Sequence, residues 1–292
     1  MVSSRRQNRF EAEYPNQVHQ LAHSVSQHFF PVKCIKNDWI LNLKLYDQVK
    51  PETNSCLMVY ALVDDYSRYR LSRYEVERGN SPFGGISFLE WAWSRNLDHD
   101  PFRGLPKFLF MSRDLAKDLI FQEFCERLKV EIITRGPNKP QITGKVANNF
   151  RTQWKRFETL FFYVNPNWRN FEISLTELNQ ELSSFWRKRN QEPHRGANIS
   201  KEGAWSTIID KGNLIEVDHE AWGTLFHRYS RKVDAAGCFS FKGSIYQVKE
   251  IYACDVWVYT GIVKGKLIVQ DKRDDKRYEP IPFEPKKWSD YL

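Results

Sequence analysis

The chain has 292 residues, 44 Lys and Arg against 36 Asp and Glu, a formal net charge of +8, and is 41% hydrophobic and 15% aromatic. That apolar content supports a packed core and excludes a disordered polar chain, and no apolar run is long enough to span a bilayer. The excess of positive charge suits a polyanionic partner such as DNA. Cys34, Cys56, Cys125, Cys238 and Cys254 are odd in number and contain no C-x-x-C pair, so no zinc site is expected and reduced thiols fit best. The start, Met1-Val-Ser-Ser-Arg-Arg-Gln, is basic and lacks an apolar h-region, so no signal peptide is expected and the protein is placed in the cytoplasm.

In chain order, residues 1–14 read as a basic flexible lead. Residues 18–32 and 39–46 read as two strands, the second alternating Trp39, Leu41, Leu43 and Leu45 against Ile40, Asn42 and Lys44. The apolar run 57–63 predicts a central strand, and 71–77 another, with Ser72, Tyr74 and Val76 set against Arg73 and Glu75. A turn over 79–85 leads to a helix over 86–94 carrying Ile86, Phe88, Leu89, Trp91 and Trp93. Then come a strand over 107–112, a helix with Leu119, Phe121, Phe124, Cys125 and Leu128, and a strand over 130–134. A loop with Pro137 and Pro140 precedes Gly144 and a helix in which Phe150, Trp154, Phe157 and Phe161 recur at i, i+4, i+7 and i+11, one stripe. A further helix spans 175–189 with Leu178, Leu182 and Phe185 on one side, and a short one lies near 203–209.

From residue 226 the pattern changes. Cys238-Phe-Ser-Phe241, Ser244-Ile-Tyr-Gln-Val248, Val256-Trp-Val-Tyr259 and Leu267-Ile-Val-Gln270 are short alternating runs separated by turns, which predicts a small β-barrel. Basic residues cluster at Arg151, Lys155 and Arg156, at Arg187, Lys188 and Arg189, and at Arg228, Arg231 and Lys232. A cluster of charge is usually a solvated face; interleaving with Trp154, Trp186 and Tyr229 points to a nucleic-acid surface.

Several ordered motifs resemble the catalytic domain of DDE transposases and retroviral-type integrases. Pro15-Asn-Gln-Val-His-Gln-Leu-Ala22 stands where the family reads Pro-Asn-x-x-x-Gln-x-Asp, and Val63-Asp-Asp-Tyr-Ser-Arg68 is similar to Ile-Asp-Asp-x-Ser-Arg. Phe110-Met-Ser-Arg-Asp114 stands where an aromatic-x-Asp-Asn-Gly is expected, and Gly144-Lys-Val-Ala147 where Gly-Lys-Val-Glu is expected. Glu192-Pro-His194-Arg195 resembles a Gln-Pro-His-Arg loop of the same family, with His194 a loop or packing residue, and the run from Arg231 to Val248 resembles the barrel that follows the catalytic domain in Mu-type transposases.

The resemblance implies an α/β fold, an RNase H-like mixed sheet flanked by helices, followed by a small all-β barrel domain. The expected organisation is a lead over 1–14, an RNase H-like domain over 15–165, a helical extension and linker over 166–225, and the barrel over 226–292. In the family, two divalent cations held by Asp, Asp and Glu activate the nucleophile and stabilise the leaving oxygen. Here the matching positions read Ala22, Ser112 and Ala147. A methyl or hydroxyl cannot replace a charged oxygen ligand, so a catalytically inactive protein is expected, with no metal and no other cofactor.

One alternative is an active strand-transfer enzyme with a rearranged site. Asp114 lies two residues beyond Ser112, on the same face if the strand continues. Mg²⁺ would be its cofactor, and His23 and Asn148 are weaker candidate ligands. Another alternative is a protein-interaction module without DNA binding. Asp64 and Asp65 are expected to cap a strand turn. The leading expectation is a DNA-binding or assembly subunit of a transposition-type complex, with Arg151, Lys155, Arg156, Arg187, Lys188, Arg231 and Lys232 as phosphate contacts. Its partners would be DNA and other transposition-type proteins or an active transposase, with homo-oligomers allowed and no membrane. Family members usually carry helix-turn-helix modules ahead of this domain; about twenty residues precede the first strand here, so none is expected on this chain.

Overall fold

The computed structural model describes residues 11–36, 38–45, 55–78, 83–94, 100–117, 119–134, 144–193, 198–216, 228–260, 267–273 and 276–284. The loop holding Pro137 and Pro140, and the motif residues His194 and Arg195, lie outside the described residues. The chain divides into two compact units, Met1–Glu216 and Val217–Leu292.

The first unit is built on a mixed five-stranded sheet in the order β5-β4-β1-β6-β7. Its strands are β1 (Val18–Val25), β4 (Ser55–Asp64), β5 (Arg70–Arg78), β6 (Phe108–Met111) and β7 (Glu131–Thr134). β1, β4 and β5 run antiparallel in turn, whereas β6 lies parallel to β1 and β7 parallel to β6. A mixed sheet in this order, flanked by helices, is an RNase H-like fold. β4 reads as an unbroken apolar run because both of its faces are covered, and eight consecutive residues, Leu57–Asp64, are buried.

On one face, α4 (Gly144–Gln153) and α6 (Leu175–Asn190) contribute Val146, Phe150, Leu178, Leu182 and Trp186 to a core with Leu57, Val59, Ala61 and Val63. On the other, Phe88 of α1 (Phe83–Trp93) stacks on Tyr60, and Trp93 stacks on Phe124 of α3 (Leu119–Arg127). α1 starts earlier than its apolar pattern suggests, because Gly84 and Gly85 are helical. A Cβ at Gly84 would lie 1.9 Å from Glu77 Oε1, so a side chain here would require the Glu77 carboxylate to move.

The stretch 18–32, expected as one strand, is two. β1 ends at Val25, and β2 (Phe29–Ile35) begins a second, three-stranded sheet with β3 (Asp38–Leu43) and β8 (Glu172–Ser174). The break has a physical cause: the Ser26 hydroxyl accepts from Phe29 N (3.1 Å) and the Glu158 carboxylate accepts from His28 N (3.0 Å), which turns the chain.

The aromatic stripe after Gly144 is real but not one regular helix. α4 passes at Trp154–Glu158 into a π-helical turn, then into the short α5 (Leu160–Val164). The extra residue of a π turn brings two successive side chains inward, and both Phe157 and Glu158 are buried. α6 starts with a capping box between Ser174 and Glu177 and covers the open edge of β5. Asn179 there accepts from Tyr74 N (2.8 Å) and donates to Tyr74 O (3.0 Å); Asn190 does the same to Arg70 N and O (3.1 and 2.9 Å). Two side-chain amides thus replace a neighbouring strand. α7 (Lys201–Asp210) follows.

The second unit is all β. β9 (Arg228–Lys232), β12 (Asp255–Thr260), β13 (Leu267–Asp271) and β14 (Arg277–Tyr278) form one sheet; β10 (Cys238–Phe241), β11 (Ser244–Gln247) and β15 (Ile281–Pro282) form another. Both sheets supply one core of Val233, Phe239, Phe241, Val248, Val256, Val258 and Val269. Lys242 and Gly243 join β10 to β11 with φ of +49° and +82°, the pair of left-handed residues that a type I′ hairpin needs.

Candidate functional site

The candidate positions lie on β1, just after β6 and in the first turn of α4. β1 and β6 pair in parallel, with His19 opposite Leu109 and Gln20 opposite Phe110. Two residues further on in that register, Ala22 stands level with Ser112, which is still extended at φ −64° and ψ 153°. Along β1, side chains alternate. Ala22 pairs with Ala61 and packs against the core that holds Val146 and Phe150 of α4. His23 points to the other face, where its ring lies 5.8 Å from that of Tyr60.

Ala147 and Asn148 follow Val146 on α4 and are exposed. Ala22 therefore lies on the side of the sheet covered by α4, which carries Ala147 one residue after the buried Val146, and Ser112 follows the end of β6 beside β1. The groups presented are two methyls and one hydroxyl. Ser112 is the N-cap of α2 (Arg113–Ala116), its hydroxyl accepting from Leu115 N at 3.5 Å. Divalent cations of the Mg²⁺ class need several anionic or carbonyl oxygens, and these residues do not fit such a group. Among the described residues, no three His, Cys, Asp or Glu side chains converge closely enough to hold a metal ion.

β6 ends at Met111, so Asp114 does not continue a strand beyond Ser112. It lies in the first turn of α2, exposed to solvent, where a negative charge suits the helix dipole. Its charge is felt at His23: burial holds that imidazole below its ordinary range and Asp114 partly opposes the shift.

Asp64 and Asp65 are both engaged in holding the turn after β4. Asp64 accepts from Asn16 N (3.0 Å), Ser67 N (2.7 Å) and the Ser67 hydroxyl (2.6 Å). Burial pushes its pKa up to about 6, with the Ser67 and Asn16 hydrogen bonds opposing. His19, at 3.8 Å, is held neutral by burial, its pKa about 3, and its Nδ1 accepts from Trp93 Nε1 at 3.1 Å. Asp65 accepts from Ala12 N (2.8 Å) and Gln20 Nε2 (2.6 Å) and pairs with Lys145 Nζ at 2.5 Å. Lys145 thereby pins the first turn of α4 to the end of β4. The pairing partner of Lys145 had no signal in the sequence, because 80 residues separate it from Asp65.

The basic residues fall into distinct environments. Arg151, Lys155 and Arg156 are all exposed, opposite the buried Val146, Asn149, Phe150, Gln153 and Phe157. Lys188 and Lys232 are exposed and Arg187 is half-buried. Arg231 is committed within its own unit, with Nε donating to Ser240 O (3.1 Å) and an amino group to Ser230 O (2.7 Å).

The aromatic neighbours of these bases are core residues. Trp186 is buried, Trp154 stacks on Phe150 at 5.6 Å, and Tyr229 packs on Phe241 at 5.0 Å. The interleaving of bases with aromatics reflects helix and strand periodicity here and does not make a platform for stacked bases.

The π-helical turn carries a strongly perturbed carboxyl. Glu158 is fully buried and accepts from Tyr74 Oη (2.8 Å), the Ser26 hydroxyl (3.2 Å) and His28 N. Burial pushes its pKa up to about 7 against the pull of those donors.

No protein-family model and no curated protein matches the chain. Among solved structures it is similar to the simian T-cell lymphotropic virus intasome in complex with PP2A regulatory subunit B56 gamma, at 14% identity and a TM-score of 0.49, over 96% of this chain and 80% of that one. It is also similar to the HTLV-2 integrase catalytic core domain in complex with magnesium (15%, TM-score 0.37, over 66% and 98%). A third likeness is to the catalytic core domain of BIV integrase (11%, TM-score 0.41, over 68% and 99%). No helix among the described residues is long and apolar enough to cross a membrane.

Proposed function

We propose that this chain is a transposase- or integrase-like protein whose metal-binding carboxylates have been replaced, and that it serves as a non-catalytic DNA-binding or assembly subunit of a transposition-type complex. The observation that supports the reading is that the positions matching the family's carboxylates hold Ala22, Ser112 and Ala147, with an apolar core packed against Ala22 and Ser112 spent as a helix N-cap. Removing clustered carboxylates costs such a fold little, since it relieves like-charge repulsion at a site that no longer holds a cation. The partners in this reading are duplex DNA and other proteins of the complex.

DNA binding is assigned to the exposed side of α4 and its π-helical continuation. Arg151 and Lys155 lie four residues apart and Arg156 adjoins them; none is spent on an internal ion pair among the described residues. Lysine and arginine there would contact phosphates, giving affinity without sequence preference. Neutralising all three as Arg151→Gln, Lys155→Gln and Arg156→Gln should lower the slope of log affinity against log salt by up to about 3, at about 0.9 per phosphate contact. Fluorescence anisotropy with a labelled duplex measures it. An unchanged slope removes DNA binding from this face, and absence of binding by the unmodified protein favours a module that contacts only proteins.

A further inference from the structure

A second cationic site lies away from α4, where the C-terminal end of α6 meets the start of β5. Its parts are brought together by Asn190, whose amide clamps both backbone groups of Arg70 and so sets Arg189 beside Arg70. The Arg70 guanidinium lies over the Trp186 ring, 5.7 Å from its centroid, and its Nε is buried without an acceptor. No carboxylate among the described residues forms a salt bridge with it.

Lys201, at the start of α7, reaches the same place. Its Nζ donates to Arg189 O (2.7 Å) and Glu192 O (3.3 Å). Glu192 is the carboxylate of the group, 3.5 Å from Arg189 and 3.8 Å from Lys201, with its own side chain half exposed. Arg68 is nearby but already pairs with Glu11 at 2.7 Å. Arg189 and Lys201 thus share one loosely held carboxylate, and Arg70 beside them has none among the described residues.

Their mutual influence shows that they are close. Burial, joined by the charges of Arg189 and Arg68 and opposed by Glu192, lowers the pKa of Arg70 to about 10. Lys201 is lowered by burial and by Arg70 and Arg189, again opposed by Glu192. A fold does not hold like charges together, partly out of water, without cost. An oxyanion between them would relieve that cost, and a buried guanidinium with an unused Nε–H is a donor suited to phosphate.

We propose that Arg70, Arg189 and Lys201 form an oxyanion site that takes a phosphate group of a nucleic-acid backbone, with Glu192 as the competing internal anion. The anion site stands on this geometry alone; its assignment to nucleic acid rests on the DNA-binding reading above.

The test uses the full chain, as the unmodified protein and as Arg70→Gln, Lys201→Gln and Glu192→Gln. Two probes are applied: inorganic phosphate against chloride at matched ionic strength, read by melting temperature, and a labelled duplex, read by the salt slope of its affinity. Phosphate should raise the melting temperature of the unmodified protein, and Arg70→Gln and Lys201→Gln should remove that rise. Each of the two should lower the duplex salt slope by about 0.9. Glu192→Gln should enlarge the phosphate shift and tighten duplex binding several-fold, a gain that mere loss of folding cannot mimic. No phosphate shift, or a shift and slope indifferent to Arg70→Gln and to Glu192→Gln, overturns the site. A phosphate shift that needs Arg70 in a protein that does not bind duplex supports the anion site and overturns its assignment to nucleic acid, together with the DNA-binding reading.

Discussion

Above pH 7, Glu158→Gln should melt at a higher temperature than the unmodified protein, and below pH 4.5 the two should melt together. Folding raises the Glu158 pKa from its ordinary 4.5 to about 7, so the folded state holds a proton that the unfolded chain has released. A carboxyl raised in this way contributes stability that is fully present below its unfolded pKa. That contribution declines as pH rises from 4.5 to about 7 and is gone above. The gap is worth about 3 kcal/mol, which corresponds to roughly 6–12 °C in a unit of this size.

Glutamine fits the site in one orientation. Its oxygen accepts from His28 N and its amide donates to the hydroxyls of Tyr74 and Ser26, both of which can accept. Glu158→Ala should behave oppositely, lowering stability by about 3 kcal/mol or more at every pH, because it strands three donors and opens a cavity. Thermal melts of the three proteins across pH 4–8 decide the matter; an equal pH dependence in the unmodified and Gln proteins would show that Glu158 does not hold the proton.

Asp64→Ala should cost about 3 kcal/mol, because it leaves the buried N–H groups of Asn16 and Ser67 and the Ser67 hydroxyl without their acceptor. Asp65→Ala should cost less, about 1–2 kcal/mol, since two of its partners, Lys145 and Ala12, are partly exposed and can turn to water. Neither change should alter duplex affinity at temperatures where the variants remain folded. Chemical denaturation and anisotropy on the same samples separate the two effects. A stable Asp64→Ala protein would show that the paired aspartates are held for something other than the turn, and would return them to consideration as functional carboxylates.

Much of the first unit was legible because its signals are local. β4 is a single apolar run, β5 alternates, and Phe150, Trp154 and Phe157 recur at helical spacing. What the sequence could not show depends on partners far along the chain. The break between β1 and β2 is held in part by Glu158, 132 residues from Ser26, a partner that no local pattern announces. The π-helical turn is also invisible to periodicity: a regular 3.6 repeat from Phe150 keeps Phe157 inside and turns Glu158 away, yet both are buried.

The candidate site shows the same division. Ala22, Ser112 and Ala147 are singled out by ordered motifs alone, and the parallel register of β1 and β6, continued by two residues, would set the first two level. Asp114 would share a face with Ser112 only if the strand continued, but Ser112 accepts from Leu115 N and starts a helix, a capping role its residue type allows and its flanking sequence does not announce. Trp186 and Trp154 looked like stacking surfaces beside bases, and tertiary packing turned both into the core. The cluster of Arg70, Arg189 and Lys201 had no sequence signal at all, because Asn190 assembles it across 120 residues.

The most direct test of the central claim is a strand-cleavage assay with Mg²⁺ and Mn²⁺ titrated over a DNA substrate, run on the unmodified protein beside Asp114→Ala. Divalent metal ions should produce no cleavage and no strand transfer in either protein, while salt-sensitive retention of the duplex persists in both. Metal-dependent cleavage by the unmodified protein that Asp114→Ala abolishes would contradict the account and make this chain a working enzyme with a relocated carboxylate.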